Sequence, residues 1–200
     1  MKSSYLALAA GAVMCVTLPA SAAKLPDGSF EDPQIDAGTT QAVNVGGTIG
    51  PWTVIGQGDV VLVGANYSIG DLSLQAKNGE QFVNLAGDQH LQAGIEQTFK
   101  TVPGKQYILW FRIGTVFSRE LGFGPNSTVT PTVDGVPQGI FTVMGHPNGK
   151  DQTEIVWGRA GFVFTATNAQ TTIAFMNGDA VSVDGFCGLD GLHLRSFGEP

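Results

Sequence analysis

The residues with the most evident chemical potential are two Trp-x-Arg pairs, Trp110 with Arg112 and Trp157 with Arg159. An exposed tryptophan offers a flat apolar surface to the CH-rich face of a sugar ring. A neighbouring guanidinium donates paired hydrogen bonds to vicinal hydroxyls or to a carboxylate. The pairs therefore predict a glycan-binding surface that suits an acidic glycan. The alternative is structural: both tryptophans pack within the protein, and the arginine stems lie over their rings as cation–π contacts.

Strand alternation indicates where these pairs lie. Within residues 106–113, alternate side chains are apolar and form one predicted inner face: Tyr107, Leu109, Phe111 and Ile113. The first Trp-x-Arg pair then lies on the opposite, outer face. Between residues 156 and 165, Phe162 and Phe164 mark the inner face. The second pair has the opposite parity, so it is also predicted to face outwards if no bulge intervenes.

The rest of the chain alternates short apolar segments with turn-forming residues, which is typical of an all-β protein. The predicted strands are Trp52–Gln57, Val60–Val63, Gln81–Leu85, Ile95–Phe99, Gln106–Ile113, Thr128–Val133, Ile140–Met144, Ile155–Thr165, Thr171–Phe175 and Leu192–Phe197. Turn formers lie between them, including Pro103-Gly104, Asp134-Gly135 and His146-Pro147-Asn148-Gly149. No segment has a sustained helical period. The sequence therefore predicts a single β-sandwich, for which a jelly roll is the common arrangement at this length.

Composition excludes several classes of function. The 200 residues include 10 Lys or Arg and 17 Asp or Glu, which gives a formal net charge of −7. This balance argues against nucleic acid and against anionic membrane surfaces, because both require clustered basic charge. With 42% hydrophobic and 14% charged residues, the chain is too apolar for a disordered tail and can bury a core.

Residues 1–22 are predicted to be a signal peptide. Lys2 gives a positive start, Tyr5–Leu18 is apolar, and Ala20-Ser21-Ala22 supplies the small residues of a cleavage site. The apolar stretch is too short to span a membrane and no other segment is long enough, so membrane insertion is not expected. We therefore expect an exported protein, periplasmic or extracellular, with a mature domain at residues 23–200.

The cysteines and histidines do not indicate catalysis or zinc. Cys15 lies in the predicted signal peptide, so Cys187 has no partner for a disulfide within the mature domain. No His/Asn arrangement points to a nucleophile, and a buried, unreactive thiol is expected. His90, His146 and His193 lack the spacing of zinc ligands.

Three segments, in order, resemble one family. Leu25–Pro33 resembles its opening N-G-x-F-E-x-P, and Gly94–Phe111 is similar to G-x-I-x-Q-x-F-x-T-x-P-G-x-x-Y-x-L-x-F. Cys187–Leu194 resembles its closing C-G-P-x-I-D-D-V. The family is the exported domain of unknown function family 642, of plant cell-wall and bacterial proteins. The closing segment departs from the family pattern, because Leu189-Asp190-Gly191 replaces a longer run and lacks one acidic position.

The resemblance implies a galactose-binding-like jelly roll that acts as a sugar-binding module, with no established catalytic residues. Related sandwich carbohydrate-binding modules hold a structural calcium ion between the Glu of the opening and an Asp of the close. Carried over by position, these residues are Glu31 and Asp190. Calcium takes carboxylates completed by backbone carbonyls. The alternative is that Glu31 caps a turn and Asp190 hydrogen-bonds a loop.

We expect a noncatalytic carbohydrate-binding module that acts in cell wall or matrix, with a polysaccharide as its partner. Two alternatives stay open. The first is a structural surface protein that binds other proteins. The second is a jelly-roll polysaccharide hydrolase or lyase, whose two carboxylates the sequence does not single out among Glu80, Glu96, Glu120 and Glu154. The sequence indicates neither the glycan nor the oligomeric state.

Overall fold

The structure, a computed structural model, describes residues 24–145, 150–179 and 185–197. The predicted signal peptide at 1–22, with Cys15, and the predicted turn at 146–149 lie outside the described residues. Nowhere in the three described ranges is there a helix long and apolar enough to cross a membrane.

Two antiparallel sheets form a β-sandwich. The strands are β1 (Thr40–Asn44), β2 (Thr48–Ile49), β3 (Trp52–Gly56), β4 (Asp59–Val63), β5 (Tyr67–Ile69), β6 (Leu72–Leu74), β7 (Phe82–Asn84), β8 (Ala93–Lys100), β9 (Gln106–Thr115), β10 (Asn126–Val133), β11 (Val136–Pro137), β12 (Phe141–Met144), β13 (Val156–Thr165), β14 (Gln170–Asn177) and β15 (Gly188–Ser196). Sheet A has the order β1-β4-β7-β15-β9-β13, and sheet B has the order β11-β10-β14-β8-β3-β2, with β12 also paired to β10. Strands β5 and β6 form a separate hairpin. The predicted all-β sandwich of jelly-roll type is confirmed.

The main core fills the space between the two sheets. The inward side chains of β9 are fully buried: Tyr107, Leu109, Phe111 and Ile113. The ring of Phe111 lies 5.2 Å from that of Phe175 on β14, which joins the two sheets. Phe162 and Phe164 of β13 are buried in the same core. The predicted inner faces of β9 and β13 are therefore correct, and the β9–β13 pairing runs without a register shift.

A second apolar cluster lies on the other side of sheet A. The β5–β6 hairpin contributes Leu72 and Leu74, which pack with Phe82 of β7 and with Phe186. Phe82 and Phe186 rings are 6.0 Å apart. This cluster covers one end of the outer face of sheet A. The strands β13, β9 and β15 continue beyond it, where their outward side chains remain partly or fully exposed.

The N-terminal segment closes one end of the sandwich. Phe30 is fully buried, and its ring lies 5.7 Å from that of Trp52 on β3. Gly28 accepts a 2.8 Å backbone hydrogen bond from Leu192. An added Cβ at Gly28 would lie 2.1 Å from the Leu192 carbonyl oxygen, so only glycine fits this contact. Glu31 is thereby placed next to β15, which carries Asp190.

Most predicted strands are present, but short strands with little apolar alternation are additional. Strand β1 is almost wholly exposed along its length, so its sequence carries no burial pattern. The β5–β6 hairpin has only three residues in each strand. The predicted turn at Asp134-Gly135 is confirmed, because both residues have positive φ and they join the paired ends of β10 and β11.

Cys187 is expected to be unreactive in the folded protein. Its side chain is fully buried in the main core, and its thiol donates to the Thr128 carbonyl oxygen at 3.4 Å. Burial raises the pKa of the thiol well above its usual value, which suppresses the reactive thiolate. In a Cys15→Ser background, a chromogenic disulfide reagent should therefore label Cys187 only in denaturant. Rapid labelling of the native protein would contradict this burial.

Candidate functional site

Three of the predicted ligand-binding residues lie together on the open part of the outer face of sheet A. Arg112 of β9 and Arg159 of β13 are direct cross-strand partners. Trp110 faces Gly161 of β13 on one side and His193 of β15 on the other. The extended pairing of β9 with both neighbours therefore brings residues distant in sequence onto one surface.

The indole of Trp110 supports Arg159. The guanidinium carbon of Arg159 lies 4.2 Å from the centroid of the ring, which is a cation–π contact. The ring also lies close over Gly161, where an added Cβ would come within 2.3 Å of its Cε3 atom. Part of the ring surface predicted to stack on a sugar is thus used inside the protein. The contact fixes the planar guanidinium in place while Arg159 remains exposed.

Two adjacent depressions lie on this surface. The first has a volume of about 300 Å³ and is lined by Trp110, Phe111, Arg112, Arg159, Gly191 and His193. The second has a volume of about 240 Å³ and is lined by Lys77, Asn78, Arg112 and Gly191. Arg112 and Gly191 line both, so the depressions adjoin each other. We call the two together the arginine groove.

Positive charge is concentrated at the arginine groove. Arg112 and Arg159 line it, and Arg195, which is also exposed on β15, lies beside it, so three of the four arginines of the chain share this face. Arg195 donates from Nε to Nε2 of His193 at 3.1 Å. Within the described parts of the chain, none of these three arginines forms an ion pair; the ion pair that is present there joins Arg119 to Asp151 elsewhere.

Asp190 and Glu31 both bind the loop at residues 77–81. Asp190 Oδ2 accepts hydrogen bonds of 2.7 Å from the backbone amides of Lys77 and Asn78, and Oδ1 accepts one from the amide of Gly191. Glu31 Oε1 accepts from the amides of Glu80 and Gln81 at 2.9 and 3.0 Å. The two carboxylates thus fix the loop that supplies one wall of the arginine groove.

Burial dominates the ionisation of Asp190. The side chain is fully buried, and desolvation raises its pKa to about 7 although three backbone amides donate to it. The nearby negative charge of Glu31 raises the pKa further.

The described residues fit a loop clamp more closely than a calcium site. Calcium takes six to eight oxygen ligands, whereas the oxygens of Asp190 and Oε1 of Glu31 already accept backbone N–H groups. In the described ranges, no group of three or more His, Cys, Asp or Glu is placed to hold a metal ion. Calcium at Glu31 and Asp190 therefore stays a prediction of the family resemblance.

Trp157, the fourth predicted ligand-binding residue, lies apart from the arginine groove. Its indole covers Gly114 and Gly188, where an added Cβ would come within 3.0 and 3.1 Å of the ring. Its Nε1 donates to the Gln75 carbonyl at 3.0 Å, and its ring packs edge-on against Phe82 at 5.4 Å. Trp157 has the outward parity that the alternation predicts, and its ring packs against the outer apolar cluster. Ligand binding by Trp157 stays a prediction.

Sequence reasoning missed His193, Arg195 and Lys77. The first two alternate with the buried Leu192 and Leu194 along β15, so their outward orientation was available from the sequence. Their position beside β9 was not, because a register shift separates Asp190 from His193 in that pairing. Lys77 lines the groove from a loop. Loop residues have no periodic pattern from which their position could be predicted.

The fold and this surface define an antiparallel β-sandwich with an open cationic sheet face. The family described as "Protein of unknown function (DUF642)" matches residues 23–190, and the chain belongs to this family. No curated protein matches the chain in sequence.

The solved structures similar to this chain include a cyclase and two carbohydrate-binding modules. A Stig cyclase from Fischerella sp. TAU, solved in complex with an indole compound, has a TM-score of 0.58 at 16% identity and covers 90% of this chain and 98% of its own. A family 35 carbohydrate-binding module from Clostridium thermocellum has a TM-score of 0.46 at 17% identity, with coverages of 78% and 97%. A CBM22-1 xylan-binding domain from Paenibacillus barcinonensis has a TM-score of 0.47 at 12% identity, with coverages of 82% and 96%.

Proposed function

We propose that the protein is an exported, noncatalytic glycan-binding module that acts in a cell wall or matrix. The observation that carries this proposal is the open depression in which Trp110, Arg112, Arg159 and His193 meet. Its volume of about 300 Å³ is at the lower end of the range for ligand pockets. An aromatic surface beside several polar groups is the combination that a sugar ring needs.

The lining of the arginine groove favours binding over catalysis. Glycoside hydrolysis needs a pair of carboxyl groups on either side of the scissile bond. The side chains that line the groove in the described structure include none from Asp or Glu. Export from the cell, to the periplasm or the medium, rests on the signal peptide predicted at residues 1–22 and is part of the proposal.

Trp110→Ala is expected to weaken polysaccharide binding by about tenfold or more, because the variant loses both an apolar ring surface and the support of Arg159. Affinity electrophoresis or calorimetry of the purified protein against a panel of neutral and acidic polysaccharides measures this change. Thermal unfolding of the same sample establishes that the variant is folded.

Trp157→Phe is the matched control, since Trp157 lies on the same sheet face but outside the arginine groove. It should bind like the wild type while losing some stability. Failure of the wild type to bind any polysaccharide, or equal binding by Trp110→Ala, would contradict the proposal and favour a protein partner. Release of reducing sugars from a bound polysaccharide would instead favour the hydrolase or lyase alternative.

A further inference from the structure

We infer that the ligand of the arginine groove is an acidic polysaccharide whose sugar units carry carboxylates, bound with Arg112 between two successive units. This inference rests on the proposed function and specifies the class of glycan. The observations behind it are the arrangement of charge, the chemistry of the lining groups and the length of the groove.

Arg112 and Arg159 lie side by side on the sheet without an ion pair in the described ranges. Arg112 and Arg159 are directly opposite each other on neighbouring strands, and like charges in this relation destabilise a sheet. The chain has more acidic than basic residues, 17 against 10. Nevertheless, across the ranges that the structure describes, neither arginine forms an ion pair with a carboxylate. Asp190 lies opposite Arg112 on β15, but its carboxylate binds backbone amides of the loop at residues 77–81. An anionic ligand would therefore add a counter-charge beside both guanidinium groups.

The lining side chains donate far more hydrogen bonds than they accept. Arg112, Arg159 and Lys77 are donors only. Asn78 supplies a side-chain acceptor, whereas Nε2 of His193 already accepts from Arg195. A neutral sugar hydroxyl both donates and accepts, whereas an ionised carboxylate only accepts. The groove is therefore chemically complementary to carboxylates.

The guanidinium of Arg159 is preorganised to bind a planar anion. Its guanidinium carbon lies 4.2 Å from the centre of the Trp110 ring. The contact orients the N–H donors of the guanidinium before a ligand binds. A guanidinium binds a carboxylate through two parallel hydrogen bonds, and prior orientation of the fork reduces the entropy lost on binding.

The shape of the groove favours a polymer over a single sugar. Arg112 and Gly191 line both depressions, and Lys77 lines only the second. A chain that occupies both depressions passes over Arg112, with Arg159 at one end and Lys77 at the other. Asp190 and Glu31 act here as positioning residues, because they bind the backbone of the loop that carries Lys77.

The test compares soluble polyuronates with matched derivatives of the same polymers. The probes are polyglucuronate, polygalacturonate and alginate, the methyl ester of each, a sulfated glucan and a neutral soluble glucan. Calorimetry in a chelating buffer at moderate ionic strength gives the affinity for each probe. We expect binding to at least one polyuronate and a loss of about tenfold or more on its methyl esterification.

Arginine variants locate the binding. Arg112→Ala should lower the affinity for the polyuronate by about tenfold or more. Arg112→Lys should have an affinity between those of Arg112→Ala and the wild type, because lysine keeps the charge but cannot form the paired hydrogen bonds. Arg119→Ala removes an equal charge outside the groove and should leave binding unchanged. Equal losses in Arg112→Ala and Arg119→Ala, or binding to the sulfated glucan alone, would overturn the inference.

The outcomes separate this inference from the proposed function. Binding of the neutral glucan that Trp110→Ala weakens and Arg112→Ala does not would leave the glycan-binding proposal standing and overturn the acidic assignment. Absence of binding to every probe would overturn both.

Discussion

Trp52→Ala is expected to destabilise the protein by about 3–5 kcal/mol, because the variant leaves a large cavity at the closed end of the sandwich. Trp52 is fully buried. Its ring contacts those of Phe30 at 5.7 Å and Phe175 at 6.2 Å, which ties the N-terminal segment to both β3 and β14. Its Nε1 donates to the Asp27 carbonyl at 2.9 Å, so the substitution also leaves a partly buried acceptor without its donor.

The loss of packing in Trp52→Ala should also affect the arginine groove, because the N-terminal segment connects the two. The Asp27 side chain accepts from the Glu31 amide at 2.8 Å, and Glu31 in turn binds the loop at residues 77–81. Loosening this segment therefore loosens the wall of the groove that carries Lys77.

Urea unfolding, followed by fluorescence and by circular dichroism, measures the change at Trp52. Trp52→Phe serves as the control, since it keeps most of the apolar contact and removes the hydrogen bond; it should lose about 1–2 kcal/mol. A loss below about 1 kcal/mol in Trp52→Ala would contradict the packing of the N-terminal segment in this core.

Local alternation was sufficient to predict the parity of the strands that carry the site. Trp110 and Arg112 lie on the outer face of β9 because their neighbours in sequence have to be buried, and the same reasoning placed Arg159 correctly on β13. Alternation gives only a face, however, and not the elements that cover it. Trp157 has the same parity as Arg159, yet its ring packs against Phe82 of β7 and its Nε1 donates to the Gln75 carbonyl. Neither partner is evident from the sequence of β13.

Long-range pairing accounts for what the sequence could not reveal at the site. Arg112 and Arg159 become partners through the β9–β13 register, and His193 joins them through β15 after a register shift. The family resemblance predicts Glu31 and Asp190 as calcium ligands. Both carboxylates instead accept hydrogen bonds from backbone amides of residues 77–81. The path of that loop depends on the whole fold, so the sequence of neither segment predicts these bonds.

The free energy of unfolding should fall as the pH rises from about 4 to 7, because Asp190 must then ionise in a buried position. Its folded-state pKa is raised by burial from 3.8 to about 7, so in this range the folded state retains a proton that the unfolded state loses. The stabilising contribution is complete below the unfolded-state pKa and is lost as pH rises through 7. A shift of this size corresponds to a few kcal/mol.

Comparison of the wild type with Asp190→Asn isolates this contribution, because asparagine does not titrate. In a chelating buffer, the stability of the wild type relative to Asp190→Asn should fall by a few kcal/mol between pH 4 and pH 8 in urea unfolding. Asp151→Asn is the control, because the pKa of Asp151 is shifted in the opposite direction. Arg119 lowers the pKa of that exposed carboxyl, so its small stabilisation is present at neutral pH and disappears in acid.

Adding calcium distinguishes a loop clamp from a metal site at Asp190. A cation bound there would stabilise the ionised carboxylate, so calcium would raise the melting temperature of the wild type more at pH 8 than at pH 5, and Asp190→Asn would abolish the increase. A clamp without metal predicts the same fall in stability with pH in calcium and in chelator. In that case loop 77–81 is positioned by amide hydrogen bonds alone, and protonation of Asp190 near neutral pH strengthens the fold that presents Lys77 to the groove.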